Sequence, residues 1–247
     1  MKPEPRMTFT EHLEDLRRRI LYCLAVFVVL FGVCLGLVSR IYGYLVSPLA
    51  REGYHLMVTS PGEVITVYLS IAGIVAVGLT LPFALYQVWK FVAPGLTPVE
   101  RRYTLRLLPV TLVMFILGVL FAWFVLFPTI LHFLLRIAAE HFNVMLRAGS
   151  YFGFLTNICL PFGFIFELPI VVVFLTRIGV ISPQLLRRVR RYAYFVIVVL
   201  GVLISPPELI SHLSVVVPMI LLYEVSIALS VIAKRRRDKA ASAASLS

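Results

Sequence analysis

The chain carries twelve acids against 23 Lys and Arg in 247 residues, so each acid inside an apolar run carries weight. Glu167 lies near the middle of one such run and Glu224 inside another. A charged side chain at the centre of a bilayer costs about 2.5–3.5 kcal/mol on insertion scales, so it must face protein or water. At about 100° per residue, Thr156, Cys159, Gly163 and Glu167 share one narrow helix face. Such a small, polar stripe suits a cavity or a close helix contact. Two readings stand for Glu167: a neutral acid bonded to a neighbouring helix, or a functional intramembrane carboxyl. Glu224 shows no comparable polar face, which favours packing.

Asp15 and Glu100 sit beside arginines. Guanidinium forks bind carboxylates bidentately, so the two acids could recognise a cationic ligand. The plainer readings are helix pairing of Asp15 with Arg18 or Arg19, and a capping-box role for Glu100. His12 reads as a helix-surface residue, and Glu208, after Pro206-Pro207, as a helix-start charge or a site. The chain has no Gly-rich phosphate loop, metal-binding His pair or nucleophile–base spacing. No ATPase, enzyme activity, metal or cofactor is expected. Cys23 and Cys34 are eleven residues apart, about 16 Å along one helix and too far to bridge. With Cys159 they read as small core residues.

The elements that position these residues are membrane helices. The chain is 60% hydrophobic with a mean hydropathy of +0.96, outside the soluble range. Basic residues form four blocks: Lys2 to Arg19, Lys90 to Arg106, Arg177 to Arg191, and Lys234 to Lys239. These hold 19 cations, and the alternate connections hold only Arg40, Arg51, Arg136 and Arg147. Cations stay on the cytoplasmic face. The pattern predicts an even number of spans with both termini cytoplasmic. It also accounts for the net charge of +11 without nucleic acid.

The expected fold is all-α, a concave bundle of six kinked spans forming one domain over residues 1–233. An amphipathic helix over about 8–19 precedes spans at about 20–38, 64–89, 107–128, 151–176, 193–205 and 209–233. The first is expected to span and not to be cleaved, since its apolar core is long and Leu37-Val38-Ser39 is a poor cleavage site. The fifth is only about 20 Å long, and its mismatch calls for a thinned bilayer or a tilted neighbour. Pro82, Pro109, Pro161, Pro169 and Pro218 predict kinks. Ser60-Pro61-Gly62-Glu63, Thr97-Pro98-Val99-Glu100 and Ser182-Pro183 mark helix starts. The segment Ile130–Phe142 is expected along the interface. Residues 234–247 form a basic, then Ala/Ser-rich tail, disordered from Ala240.

The chain resembles the TatC family, the large multi-span subunit of the twin-arginine (Sec-independent) protein translocase. The resemblance runs from about Thr8 to Lys234. It rests on His12-Leu13-Glu14-Asp15-Leu16-Arg17-Arg18-Arg19, Ser47-Pro48-Leu49 and Thr59-Ser60-Pro61-Gly62-Glu63. It continues through Tyr86–Leu96, Glu100-Arg101-Arg102, Phe166-Glu167-Leu168-Pro169, Ser205-Pro206-Pro207-Glu208 and Pro218–Glu224. The resemblance implies a receptor for twin-arginine signal peptides of folded proteins. It further implies single-span TatA- and TatB-like partners, homo-oligomers, and transport driven by the proton-motive force across the plasma (inner) membrane. By the same resemblance Asp15, Glu100 and Phe91, with His12, Glu14 and Arg17, bind the signal peptide, Glu167 is the membrane-embedded glutamate, and Pro48 belongs to a structural loop. Ser205, Glu208 and His212 are expected partner contacts. The family usually has glutamate where Asp15 stands, so Glu14 or Glu11 could share the task. The rival reading is a proton-coupled secondary transporter using Glu167, against which no repeat is visible.

Overall fold

A computed structural model gives the architecture and describes residues 9–51, 53–92, 107–141, 144–205 and 208–244. The apolar run after the first basic block folds as α1 (Phe9–Gly36), which joins the amphipathic segment and the first span into one continuous helix. Next come α2 (Val38–Arg51), β1 (Leu56–Met57) and α3 (Pro61–Val92). Then α4 (Leu108–Phe121), a π-helical turn (Ala122–Leu126) and α5 (Phe127–His141) follow without a break. After β2 (Leu146–Arg147) the chain continues as α6 (Ala148–Ile165), α7 (Leu168–Arg177), α8 (Pro183–Arg188), α9 (Arg190–Ile204) and α10 (Leu209–Ala244). Among the described residues five stretches are long and apolar enough to cross a membrane: Leu13–Gly36, Pro61–Phe91, Pro109–Glu140, Ala148–Arg177 and Leu209–Asp238. The molecule is a polytopic helical membrane protein. In lipid every backbone polar group must be paired internally, and helices do this within one segment. At 15 residues, α9 is about 22 Å long and shorter than a bilayer core.

Several expectations need correction. The third apolar stretch does not end at 128, and Ile130–Phe142 is no separate interfacial segment, because the helix runs through Pro128 to His141. Proline has no N–H to return to the fourth residue back. Just ahead of it the ladder widens, with Phe127 N–H donating to Ala122 O, five residues back, and the extra residue keeps the chain helical. Pro48 lies inside α2 and not in a loop. The carbonyl its ring leaves without a helical donor is that of Tyr44, and Ser47 Oγ donates to it at 2.7 Å. The fourth apolar run is two helices, broken at Phe166 and Glu167 ahead of Pro169. There Glu167 N–H turns to Phe164 O at 3.0 Å, three residues back. The C-terminal segment stays helical to Ala244, so the disorder expected from Ala240 does not begin there.

Helices α1 and α3 pack along a seam holding Cys34, Ala72 and Ala76, all buried. Alanines one turn apart let the backbones approach. The main core joins Leu49 of α2, Ile71 of α3, Phe127 of α5, Phe152 and Ile158 of α6, and Val215 and Met219 of α10. At one end of the bundle β1 and β2 pair in parallel, Leu56 with Leu146 and Met57 with Arg147. Glu63 fastens this end. Its carboxylate accepts from Thr59 N–H (2.8 Å) and Oγ1 (2.7 Å), Arg147 Nε (2.7 Å) and Gly149 N–H (3.2 Å). The box expected at Ser60 to Glu63 therefore reaches back to Thr59 and also across to the second connection.

Candidate functional site

Three groups of sequence-predicted residues have defined places. The first lies where the start of α1 meets the end of α3. Asp15 Oδ2 accepts from Arg19 Nε at 2.7 Å, one turn along α1. Arg19 NH1 also donates to Gln87 Oε1 of α3 at 3.3 Å. The arginine thus ties the two helices through one carboxylate and one amide. Both members of the pair are largely shielded, with side chains 17% and 22% exposed. Asp15 Oδ1 takes no hydrogen bond among the described residues, so the carboxylate is engaged on one oxygen only. Glu14 and Arg17 point outward beside it, and His12 lies on the first turns of the same helix. On α3, Lys90 lies 4.8 Å over the Tyr86 ring, Trp89 is buried edge-on against Phe174, and Phe91 is half-buried. Glu100 falls outside the described residues. The sequence reading missed Gln87. A lone amide in an apolar run, two residues before a buried tryptophan, was the available signal.

The second place is the break between α6 and α7. Glu167 is 4% exposed, and neither carboxylate oxygen has a hydrogen-bond partner among the described residues. The stripe of Thr156, Cys159, Gly163 and Glu167 does not act as one surface. Gly163 is a close helix contact: a Cβ there would overlap the Phe115 ring of α4. Across the same seam a Cβ on Gly118 would lie 2.6 Å from Phe162 O. Thr156 instead lines a groove of about 740 Å³ between α3 and α6, with Thr66, Ser70, Gly73 and Asn157 along it and Glu63 and Arg147 at its mouth. Cys159 packs against the main core. Glu224 has the packing role expected, bound by Arg190 NH2 at 2.7 Å and by the Tyr194 hydroxyl, both of α9.

The third place is the tip between α9 and α10, which brings Ser205, Glu208 and His212 together. Ser205 caps α9, and its hydroxyl donates to Gly201 O at 2.8 Å. A hydroxyl has one proton, so the bond between Ser205 Oγ and His212 Nδ1 must run from an Nδ1–H. That leaves His212 Nε2 as the imidazole's other hydrogen-bonding atom. Glu208 Oε2 and Ser211 Oγ are buried without a partner among the described residues.

Five long apolar helical stretches among the described residues, with polar groups buried between them, define the class: a polytopic helical membrane protein. Comparison with known proteins gives the family. Residues 11–218 match the family model described as TatC, Sec-independent protein translocase protein. The chain is 43% identical over 235 residues to the Sec-independent protein translocase protein TatCd of Bacillus subtilis (strain 168), covering 94% of this chain and 96% of that one. It is 40% identical over 237 residues to TatC of Halalkalibacterium halodurans, covering 96% and 94%. A crystal structure of the twin arginine translocase receptor TatC superposes with a TM-score of 0.81 at 31% identity, over 90% of this chain and 99% of that one. The chain belongs to the TatC family. It is a component of Sec-independent protein translocation and not a member of a catalytic family.

Proposed function

We propose that this chain is the signal-peptide receptor and core subunit of a twin-arginine translocase. The observation that carries the reading is the Asp15–Arg19–Gln87 tie at the α1–α3 junction. It is an arginine–carboxylate contact held by one oxygen, at a surface that also presents Glu14, Arg17 and Phe91. A carboxylate accepts two parallel N–H bonds from a guanidinium. An arriving arginine can therefore displace Arg19 from Asp15, or add to it at Oδ1. Glu100 supplies the second acid from the connection that follows α3, and His12 flanks the first. Six spans place both termini in the cytoplasm of the plasma membrane, with α9 as the short fifth. Single-span partners of the TatA and TatB kind meet the chain around Ser205, Glu208 and His212, copies of the subunit associate, and the proton-motive force drives export. The small-solute transporter is set aside, because the family is a protein translocase.

The test is photocrosslinking from Phe91 and Glu100, each replaced in turn by a photoreactive residue, to a twin-arginine signal peptide in membranes. A peptide with two lysines should crosslink far less. Asp15→Asn should weaken binding roughly tenfold, the low end for a lost charge-assisted hydrogen bond. Equal crosslinking of the arginine and lysine peptides sinks the proposal.

A further inference from the structure

A second, smaller cavity of about 310 Å³ lies away from all three places described above. It is lined by Tyr54, His132, Leu135 and Arg136. His132 and Arg136 stand one turn apart on α5 and are exposed, and Tyr54 comes from the connection after α2. Arg136 enters no ion pair among the described residues. The nearest acid on its helix is the exposed Glu140, one turn on, and among the described residues no acid lines the cavity.

Depth says what meets this group. From Pro109, at the other end of the same continuous span, His132 is about 34 Å and Arg136 about 40 Å along the helix axis at 1.5 Å per residue. A bilayer core is about 30 Å thick, and about 40–45 Å with its headgroups. A tilt of about 20° removes only about 2 Å from these figures. The headgroup thickness is shared between the two faces, so with Pro109 at the near edge of the core His132 falls in the far headgroup layer and Arg136 at its outer edge. Leu135 forms the cavity's apolar wall, and the exposed apolar Phe124 and Val125 lie toward the core. A guanidinium, an imidazole and a phenol around one small cavity are donors to phosphate oxygens.

We propose that this pocket binds the phosphate headgroup of an anionic phospholipid. The guanidinium of Arg136 takes the phosphate, His132 and Tyr54 donate to its oxygens, and the acyl chains run toward the core along α5. This site is independent of the signal-peptide reading, and its test needs no substrate.

The experiment is native mass spectrometry of the detergent-purified chain with phosphatidylglycerol, phosphatidylcholine or inorganic phosphate. The wild type should retain one phosphatidylglycerol that the double variant His132→Gln/Arg136→Gln loses, with at least about fivefold weaker binding in the variant. Arg136→Lys keeps the charge and should keep most of the lipid. Arg40→Gln, a cation on α2 outside the pocket, should behave as wild type. Phosphatidylcholine should bind less well, and inorganic phosphate should not displace the lipid. Equal retention by wild type and double variant overturns the proposal. So does displacement by inorganic phosphate, which would make this a soluble-anion site. Equal loss in Arg40→Gln would also overturn it, as it would reduce the effect to general charge.

Discussion

Glu167 presents two acceptor oxygens with no partner among the described residues, at a helix break inside an apolar span. Burying such a group unsatisfied costs about 1–3 kcal/mol or more, so its retention calls for an explanation, and its expected role in transport is that of a polar group. Glutamine retains an acceptor oxygen and adds a donor. Glu167→Gln should therefore keep most export of a folded twin-arginine reporter. Glu167→Ala and Glu167→Leu should lower it by about tenfold or more, with signal-peptide binding intact in all three. If glutamine is as damaging as alanine, the exchangeable proton is what matters. If all three export normally, Glu167 is a tolerated polar group. The sequence made this carboxyl conspicuous because charge in an apolar run is rare. It did not show that Thr156, Cys159 and Gly163 meet three different surroundings, a groove, the main core and the Phe115 ring, because the 100° count gives a shared face but not the neighbours that tertiary packing brings to it. Asp15 shows a different limit. Its pairing with Arg19 follows from spacing within one helix, whereas Gln87 is 68 residues from Arg19 and only the packing of α1 on α3 brings them together.

At the scale of elements, proline and glycine decide the geometry. Of the prolines expected to kink their helices, Pro169 follows a helix break, while Pro48 and Pro128, for which no kink was expected, sit in helices that continue by different devices. Ser47 covers the carbonyl of Tyr44 and α2 continues, the π-turn lets the helix pass Pro128, and at Pro169 the helix breaks. Glycine roles were not legible, since a glycine at a tight contact and one in open space read alike. Gly163 meets Phe115, while a Cβ on Gly153, also on α6, would meet nothing within 4 Å. Gly163→Ala should therefore lower the thermal unfolding temperature in detergent, because overpacking costs about 1–3 kcal/mol. Gly153→Ala should leave it unchanged or raise it, since alanine favours helix by about 1 kcal/mol over glycine. Equal shifts for the two would mean that the α4–α6 seam relaxes around the added methyl. The Glu63 fastening escaped sequence reading in part for a related reason: its capping role is local, but Arg147 is 84 residues away.

For the whole molecule the number of crossings fixes which surfaces share a side of the membrane. Among the described residues five stretches satisfy length and composition, and an odd number would put the termini on opposite faces. The proposed six-span topology follows from the charge pattern, which favours an even number. Arg187 and Arg188 precede α9, Arg190 and Arg191 open it, and Lys234 to Lys239 end the span in α10; by the positive-inside rule both blocks would lie inside. That arrangement requires the 15-residue α9 to cross. At about 22 Å it falls short of a core by about 8 Å, a mismatch that local bilayer thinning can absorb at a fraction of a kcal/mol per Å. Its surface agrees, with Phe195 and Leu203 at 70% and 75% exposed, side chains that lipid would cover. The expected outcome is a sided labelling pattern in a background where Cys23, Cys34 and Cys159 are replaced by alanine. Met145→Cys, at a position 73% exposed between α5 and β2, should react with a membrane-impermeant thiol reagent added to intact cells. Ala243→Cys should react only after the membrane is opened. Reaction of both from outside would mean that α9 does not cross, leaving five spans and a C-terminal basic block on the wrong side for the positive-inside rule.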